Sequence, residues 1–437
     1  MGLHHRYMSF LNNETIGFIA SDEKTQKKII AKLRKLFDNM MKTLFHQKGA
    51  QLDITILETE NAQEFIEEHA SVLNSSFKEV AMSDIMRQRL EESNYIFSGM
   101  KTFHELNEAF PSLLDENGNR KPFEQFLNDV RKIDSKYNSN YLRAEYNFVN
   151  SSAVMAAKWE EFKQYGDRYY LQYRTAGDKR VRPEHAALNR VTLPITDSFW
   201  ETFFPPNGWN CRCTVVQVRK SKYEPTDHDE AMSRGDAATG KDTRGLFRFN
   251  PGMQQKAMPD YNPYTIQRCR DCDIAKGKFS LAKPFIPDNE VCAACEILHK
   301  CAADKAKSQR TIERTHYLHE METLLTQRIK KEIDEGILNI GFTKEGNKHL
   351  YSDTFNRTHV VPRDELKNLA KYLENAEYIE SSTLTHSRKD NLVHFYYFKV
   401  KINGSWVRLN VAKKVETYKN GRTYTSYFLY SINDILE

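Results

Sequence analysis

The seven cysteines of this 437-residue chain all fall between positions 211 and 301. Cys269-x2-Cys272 and Cys292-x2-Cys295 are separated by 19 residues, which lies within the spacing of a zinc ribbon. Each C-x-x-C pair would aim two thiolates at one point, and two such knuckles complete a tetrahedron around zinc. The polar stretch between them holds few core residues, so the metal would supply much of its folding free energy. His299 and Cys301 are spare ligands close by. A four-thiolate site is closed and structural, so no catalysis is expected of it. The odd number of cysteines, without an apolar N-terminal stretch long enough for a secretory signal, argues for reduced thiols or metal over a disulfide framework. A second, smaller cluster is Cys211-x-Cys213 with His185: thiolate and imidazole suit zinc, and equally the two cysteines could be buried thiols in a tight turn.

The C-terminus carries a different chemistry. From His386 to the end there are nine Lys and Arg against four acidic residues, a surplus equal to the net charge of +5 for the whole chain. Phe395, Tyr396, Tyr397, Trp406, Tyr418, Tyr424 and Tyr427 are interleaved with these cations. Cations hold phosphates and aromatic rings stack on unpaired bases, so RNA or single-stranded nucleic acid is the expected ligand, with Arg388, Lys389, Lys399, Lys401 and Lys414 as contacts. The competing reading is a two-layer α+β domain with a solvated basic face.

The elements that would position these groups follow from periodicity. Lys24 to Phe45 reads as an amphipathic helix, with Ile29, Leu33, Phe37, Met40, Met41 and Leu44 at helical spacing. Helix is also expected over Asn61–Ser93, with Gly99 breaking the pattern, over Pro122–Lys136 and over Tyr141–Phe162. The texture changes at Tyr169. Tyr169–Thr175 and Thr214–Arg219 read as strands, separated by turns at Gly177, Pro183, Pro194, Pro205, Pro206 and Gly208. Ser221–Lys241 reads as a polar loop and Thr311–Asp334 as a connecting helix. In the last hundred residues a helix is expected over Pro362–Leu373. Strands are expected over His394–Val400, Trp406–Val411 and Arg422–Tyr430, with Asn403–Gly404 and Asn420–Gly421 as hairpin turns. The fold class is therefore multidomain α+β with a mostly helical N-terminal half: a helical region (1–93), a central domain (94–220) that turns irregular and Pro-rich after Tyr169, a linker with a zinc-ribbon-like insert (221–305), a helical connector (306–332) and a small α+β domain with an antiparallel sheet (333–437). No run of about 18 apolar residues marks a membrane helix.

Between Asn94 and Val218 the stretches FSGMKTFHELN, DSKYNSNYLRAEYNFVNSSAVMAAKW, YLQYRTAGDKRVRPEHAALNRVTLP and FWETFFPPNGWNCRCTV follow one another. This ordered series resembles the Mu-type phage head-morphogenesis family. The resemblance implies a minor capsid protein acting with portal and capsid proteins in head assembly and DNA packaging, located in the virion or in the bacterial host cytoplasm. The residues themselves say less: Asp178, Arg180, Arg182, His185, Cys211, Arg212 and Cys213 form a polar cluster around turns, with Asp178 expected to pair with Arg180 or Arg182 as a structural ion pair.

From about Ile333 onward, GNKHLYSDTFNRTHVV, LENAEYIESS, VHFYYFKVKINGSWVRLNVAKK and TYTSYFLYSIND resemble, more loosely, the barnase–EndoU–colicin–RelE-like nuclease class. That resemblance implies a metal-independent ribonuclease toxin domain, with an immunity protein as partner. In such chemistry the 2′-hydroxyl attacks phosphorus, a base and an acid move protons, and cations hold the phosphorane. Under it, His349 and His394 are expected as proton-transfer groups, and Arg408 and Lys413 as phosphate ligands. Arg408 and Asn410 would share a strand face. Tyr424 and Ser431 are weaker candidates, and His359 and His386 are unranked. The alternative is a structural capsid protein whose basic C-terminal domain binds nucleic acid or a capsid partner without catalysis.

Overall fold

The computed structural model describes residues 23–164, 168–242, 245–260, 262–264, 290–358, 361–384, 391–418 and 420–435. Cys269, Cys272, Arg388, Lys389, His359 and His386 lie outside them. The chain divides into two compact units, Met1–Ala303 and Asp304–Glu437.

The first unit begins with helices α1 (Glu23–His46), α2 (Glu60–Ser75) and α3 (Asp84–Ala109). The helical period in α1 delivers Leu33, Phe37, Met40, Met41 and Leu44 to full burial. Phe37 meets Phe65 of α2 edge to face at 6.0 Å. The Ser83 side chain caps α3 by accepting from the Met86 N–H. From Asn94 to Leu106 α3 is buried on nearly all sides, which makes it the central helix of this layer. Gly99 lies inside α3 rather than ending it. A Cβ there would come within 2.3 Å of the Leu298 side chain, so the glycine admits a close helix contact. Helix α4 (Phe123–Asp134) runs through a π-helical segment (Ser135–Tyr141) into α5 (Leu142–Gln164).

The central segment contributes β1 (Tyr169–Arg174), the short helix α6 (Pro183–Ala186), β2 (Thr192–Leu193), α7 (Phe199–Phe203) and β3 (Thr214–Arg219). The three strands form an antiparallel sheet in the order β2-β1-β3. Its core joins Met155, Trp159 and Phe162 of α5 to Leu171, Tyr173, Trp200, Phe203, Phe204 and Val215. The stretch expected as a loop after β3 contains helix α8 (His228–Thr239), capped by Asp227, whose carboxylate accepts from the Glu230 N–H. Its buried face is only Ala231, Gly235, Ala238 and Thr239, too small to register as an apolar stripe. The short helix α9 (Pro251–Gln254) follows.

Helix α10 (Glu290–Glu320) carries Cys292 and Cys295 one turn apart, where a knuckle turn was expected. Residues 290–303 of this helix belong to the first unit and 304–320 to the second. The expected connector helix over 311–334 ends at Glu320. A 3-10 turn follows, and then strand β4 (Arg328–Ile333). The charged sequence RIKKEI suits a helix as well as a strand; its place at a sheet edge, where lysine is favoured, decides the outcome.

The second unit is a six-stranded sheet in the order β4-β5-β9-β8-β7-β6, with β5 (Gly336–Gly341), helix α11 (Lys344–Asn356), helix α12 (Leu369–Glu374), β6 (Glu377–Thr383), β7 (Leu392–Ile402), β8 (Ser405–Thr417) and β9 (Thr423–Asp434). The helix expected over Pro362–Leu373 is a 3-10 turn (Arg363–Asn368) leading into α12. Asn403 and Gly404 both have positive φ, at 50° and 86°, as a tight β7–β8 hairpin requires. The sheet is antiparallel, as expected, in every pairing but one: β5 runs parallel to β9 through Ile340–Tyr427 and Gly341–Phe428. Gly346 lets α11 lie against β9: a Cβ there would stand 2.6 Å from the Leu429 carbonyl oxygen. One face of the sheet holds the main core, with Tyr396, Phe398, Val400, Leu409, Val411 and Leu429. The opposite face holds a smaller cluster of Leu392, Phe395, Ala412, Phe428 and Tyr430.

The helical layer of the first unit encloses charge. Lys101 of α3 donates to Glu145 of α5 at 2.7 Å and to the Tyr137 carbonyl at 2.9 Å, and its ammonium lies 2.8 Å from Nε2 of His69. Tyr264 donates to the other Glu145 oxygen at 2.7 Å. Burial alone would raise the Glu145 pKa, but Lys101 and His69 outweigh it and hold it at about 2. Burial, with the Lys101 charge, lowers His69 to about 4. Glu105, one turn along α3, is fully buried, and burial raises it to about 8 despite Lys101. A carboxyl raised in the fold contributes stability that is complete below its unfolded pKa and lost as pH climbs to the folded value. The thermal midpoint of the wild type, relative to Glu105→Gln, is therefore expected to fall between pH 5 and about 8 and to level off above. A midpoint difference that does not change over that range refutes the assignment.

Candidate metal centre and candidate nucleic-acid interface

In the central segment the chain enters β3 through an extended stretch in which side chains alternate. Cys211 and Cys213 point inward and Arg212 outward, where it grips Asp178 with two hydrogen bonds of 2.6 and 2.7 Å. The partner of Asp178 is thus Arg212, not the expected Arg180 or Arg182, and the hydrogen bonds from Arg212 lower the Asp178 pKa to about 2. The Cys211 N–H donates to the Gly208 carbonyl at 3.1 Å, and Asn210 takes the left-handed conformation at φ 56° that this turn requires. The guanidinium of Arg182 donates to the Trp209 carbonyl at 2.5 Å and fastens the turn from outside.

The short helix α6 delivers His185 onto this turn. Its Nδ1 lies 3.7 Å from the Cys211 sulfur and 3.7 Å from the Cys213 sulfur. Among the described residues these three form a group whose ligand atoms all lie within 4.8 Å of one another. Cys211 and His185 are buried, and Cys213 is half-buried. The Cys213 thiol, followed by His185, pulls the Cys211 pKa well down, while the neighbouring Cys211 sulfur and burial push Cys213 up. Tyr173 of β1, fully buried, accepts from Asn207 at 3.1 Å, and its hydroxyl bonds Cys213. The sequence brought His185, Cys211 and Cys213 forward as a group but missed Tyr173 and Asn207, whose only signal is that they face inward.

Of the second set of cysteines, Cys292 is buried in the helical core and Cys295 is half-buried on the same helix.

The residues expected to act on nucleic acid divide between the two faces of the C-terminal sheet. His394 and Lys413 are cross-strand neighbours on the face of the main core. Thr383 lies 2.9 Å from the His394 Nδ1, and burial, with the Lys413 charge, lowers the His394 pKa. Arg408 and Asn410 lie on the opposite face, together as expected. Asn410 donates to Ser431 and Asn433 at 2.8 Å each. The Arg408 guanidinium sits 4.9 Å from the Tyr397 ring centre, while its Nε and the Asn410 Oδ1 are buried without a partner. His349 of α11 packs on Tyr430 at 4.3 Å between ring centres. Tyr424 is exposed near the start of β9, opposite Glu416. The five residues therefore do not meet at one point.

Among the expected nucleic-acid contacts, Lys399 and Lys401 both lie over the Trp406 ring, at 5.3 and 5.0 Å. Lys399 also pairs with Glu377 at 3.2 Å, and Lys414 pairs with Glu416 at 2.9 Å. These lysines sit on the same sheet face as Arg408, which makes a cation-and-aromatic surface rather than a bare basic patch.

Residues 117–216 match the phage family described as Phage Mu protein F like protein. This span holds the turn with Cys211 and Cys213 and the helix with His185. Over 168 residues the chain is 32% identical to the putative capsid assembly protein F of Escherichia phage Mu, covering 35% of this chain and 36% of that protein. Over 137 residues it is 29% identical to the Mu-like prophage FluMu F protein of Haemophilus influenzae, covering 30% of each. The chain thus matches about a third of the length of these relatives. No solved structure matches it. No described helix is long and apolar enough to cross a membrane.

If the Arg408 face is a phosphate site, Arg408→Ala is expected to weaken binding of single-stranded RNA and to lower the slope of log affinity against log salt by about 1. An unchanged slope removes Arg408 from the interface.

Proposed function

We propose that this chain is a phage head-assembly protein that works beside portal and capsid proteins and resides in the virion. The observation that carries the reading is the 168-residue alignment, at 32% identity, with a protein named for capsid assembly. The form of the central segment agrees with a structural role: a tightly packed aromatic core, an ion pair between Asp178 and Arg212, and rigid turns. Co-expression of the full chain with the portal and major capsid proteins of its own phage is expected to give co-purifying particles. Replacing 117–216 with an unrelated domain should abolish that association; association that survives the replacement overturns the reading.

We further infer that the C-terminal unit acts on RNA as a metal-independent nuclease toxin restrained by an immunity protein, and that zinc binds Cys269, Cys272, Cys292 and Cys295. The support for the nuclease is that Arg408, Asn410 and Ser431 share one sheet face, with His349 packed on Tyr430 of β9. A phosphate held by Arg408 would find its cation there, and His349 is the imidazole proposed as base or acid. The separation of His394 and Lys413 onto the other face favours the second reading, in which the same surface binds nucleic acid or a capsid partner without cleaving it. RNA incubated with the full chain in the presence of a chelator decides between them. Cleavage that falls at least about 100-fold in His349→Ala and in Arg408→Ala is expected of the enzyme. Salt-dependent binding with no cleavage by the wild type supports the second reading.

A further inference from the structure

We propose that His185, Cys211 and Cys213 bind a thiophilic divalent cation of the zinc class, with a water molecule in the fourth position. The inference is separate from the four-cysteine site and from the assembly role.

Three observations carry it. The first is distance. Zinc takes sulfur at about 2.3 Å and imidazole nitrogen at about 2.0–2.1 Å, so a tetrahedral site places nitrogen and sulfur ligands about 3.6 Å apart. Both nitrogen–sulfur distances here are 3.7 Å. The second is convergence. Two sulfurs stand at the same 3.7 Å from one ring nitrogen, and all three ligand atoms lie within 4.8 Å of one another. A cation at their centre would take one lone pair from each of the three. The third is the surrounding shell. The Tyr173 hydroxyl, held by Asn207, bonds the Cys213 sulfur, and outer partners of this kind orient metal ligands.

The site has an opening of the right kind. Cys211 and His185 are 4% and 5% exposed, whereas Cys213 is half-buried, so a solvent molecule can complete the coordination from the Cys213 side. Binding would displace the thiol protons, because cysteine ligates zinc as the thiolate. It would also tie α6 to the entry of β3, two points 26 residues apart in the chain. No oxidation or reduction is involved.

The test uses the full chain, zinc-loaded and then dialysed, with zinc counted by plasma mass spectrometry. Cys211→Ser/Cys213→Ser and His185→Gln are each expected to carry one equivalent less than the wild type while keeping its circular-dichroism spectrum. A chelator should lower the thermal midpoint of the wild type more than that of the double variant. Equal zinc content in wild type and variants overturns the proposal and leaves two buried thiols beside a histidine. If the variants do not fold, the full chain with Cys269, Cys272, Cys292 and Cys295 changed to serine is loaded with cobalt. Thiolate-to-cobalt absorption in the near ultraviolet then supports the triad, and its absence in that folded protein overturns it.

Discussion

The helical layer of the first unit is organised around one buried ion pair. Lys101 and Glu145 are 1% and 0% exposed at the side chain, so neither charge is solvated by water, and each depends on the other and on its hydrogen bonds. Removing one partner of such a pair typically costs about 3–5 kcal/mol, because the remaining charge is stranded. Three further stretches supply satisfying groups to the pair: His69 from α2, the Tyr137 carbonyl from the π-helical segment and the Tyr264 hydroxyl from beyond α9. The pair thereby ties these segments to α3 inside the apolar core. Glu105, which lacks a cation of its own at hydrogen-bond distance, stays protonated near neutrality in the same layer.

From this layer α5 extends into the central segment, where Trp159 and Phe204 meet edge to face at 5.0 Å and anchor the irregular chain. That anchoring lets a region with little regular structure hold a defined turn at 208–213. The turn places Cys211 and Cys213 on one side and Arg212 on the other, and α6 brings His185 to the sulfurs. A short helix of four residues could not hold that position unaided; Arg182, just before it, fastens it by its bond to the Trp209 carbonyl.

In the second unit the strand alternation decides which residues can act together. A bulge at Val393 shifts the β7 pairing, so Leu392 and Phe395 share a face while His394 turns to the other. Arg408 and Asn410 follow the regular alternation of β8 and remain neighbours. A second bulge, between Asn410 and Val411 in the pairing with β9, brings Ser431 beside Asn410 and leaves Tyr430 on the side where it meets His349.

The elements read correctly from sequence are those whose signal is local. The stripe of α1, the bounds of β3 at Thr214–Arg219 and the Asn403–Gly404 turn follow from periodicity and from backbone conformations that only certain residues adopt. The sequence also singled out Cys211, Cys213 and His185, since ligand chemistry is a property of residue type. The tertiary structure alone decided what depends on distant neighbours. Gly99 lies inside a helix, where it makes room for Leu298. RIKKEI is a strand because an edge accepts lysine. Cys292 and Cys295 sit on a helical turn, His394 parts from Arg408 because of one bulge, and Asp178 pairs with Arg212 rather than a nearer arginine. Spacing names the groups able to bind or react, but their meeting at about bonding distance is fixed by packing between segments far apart in the chain, and no local pattern records that.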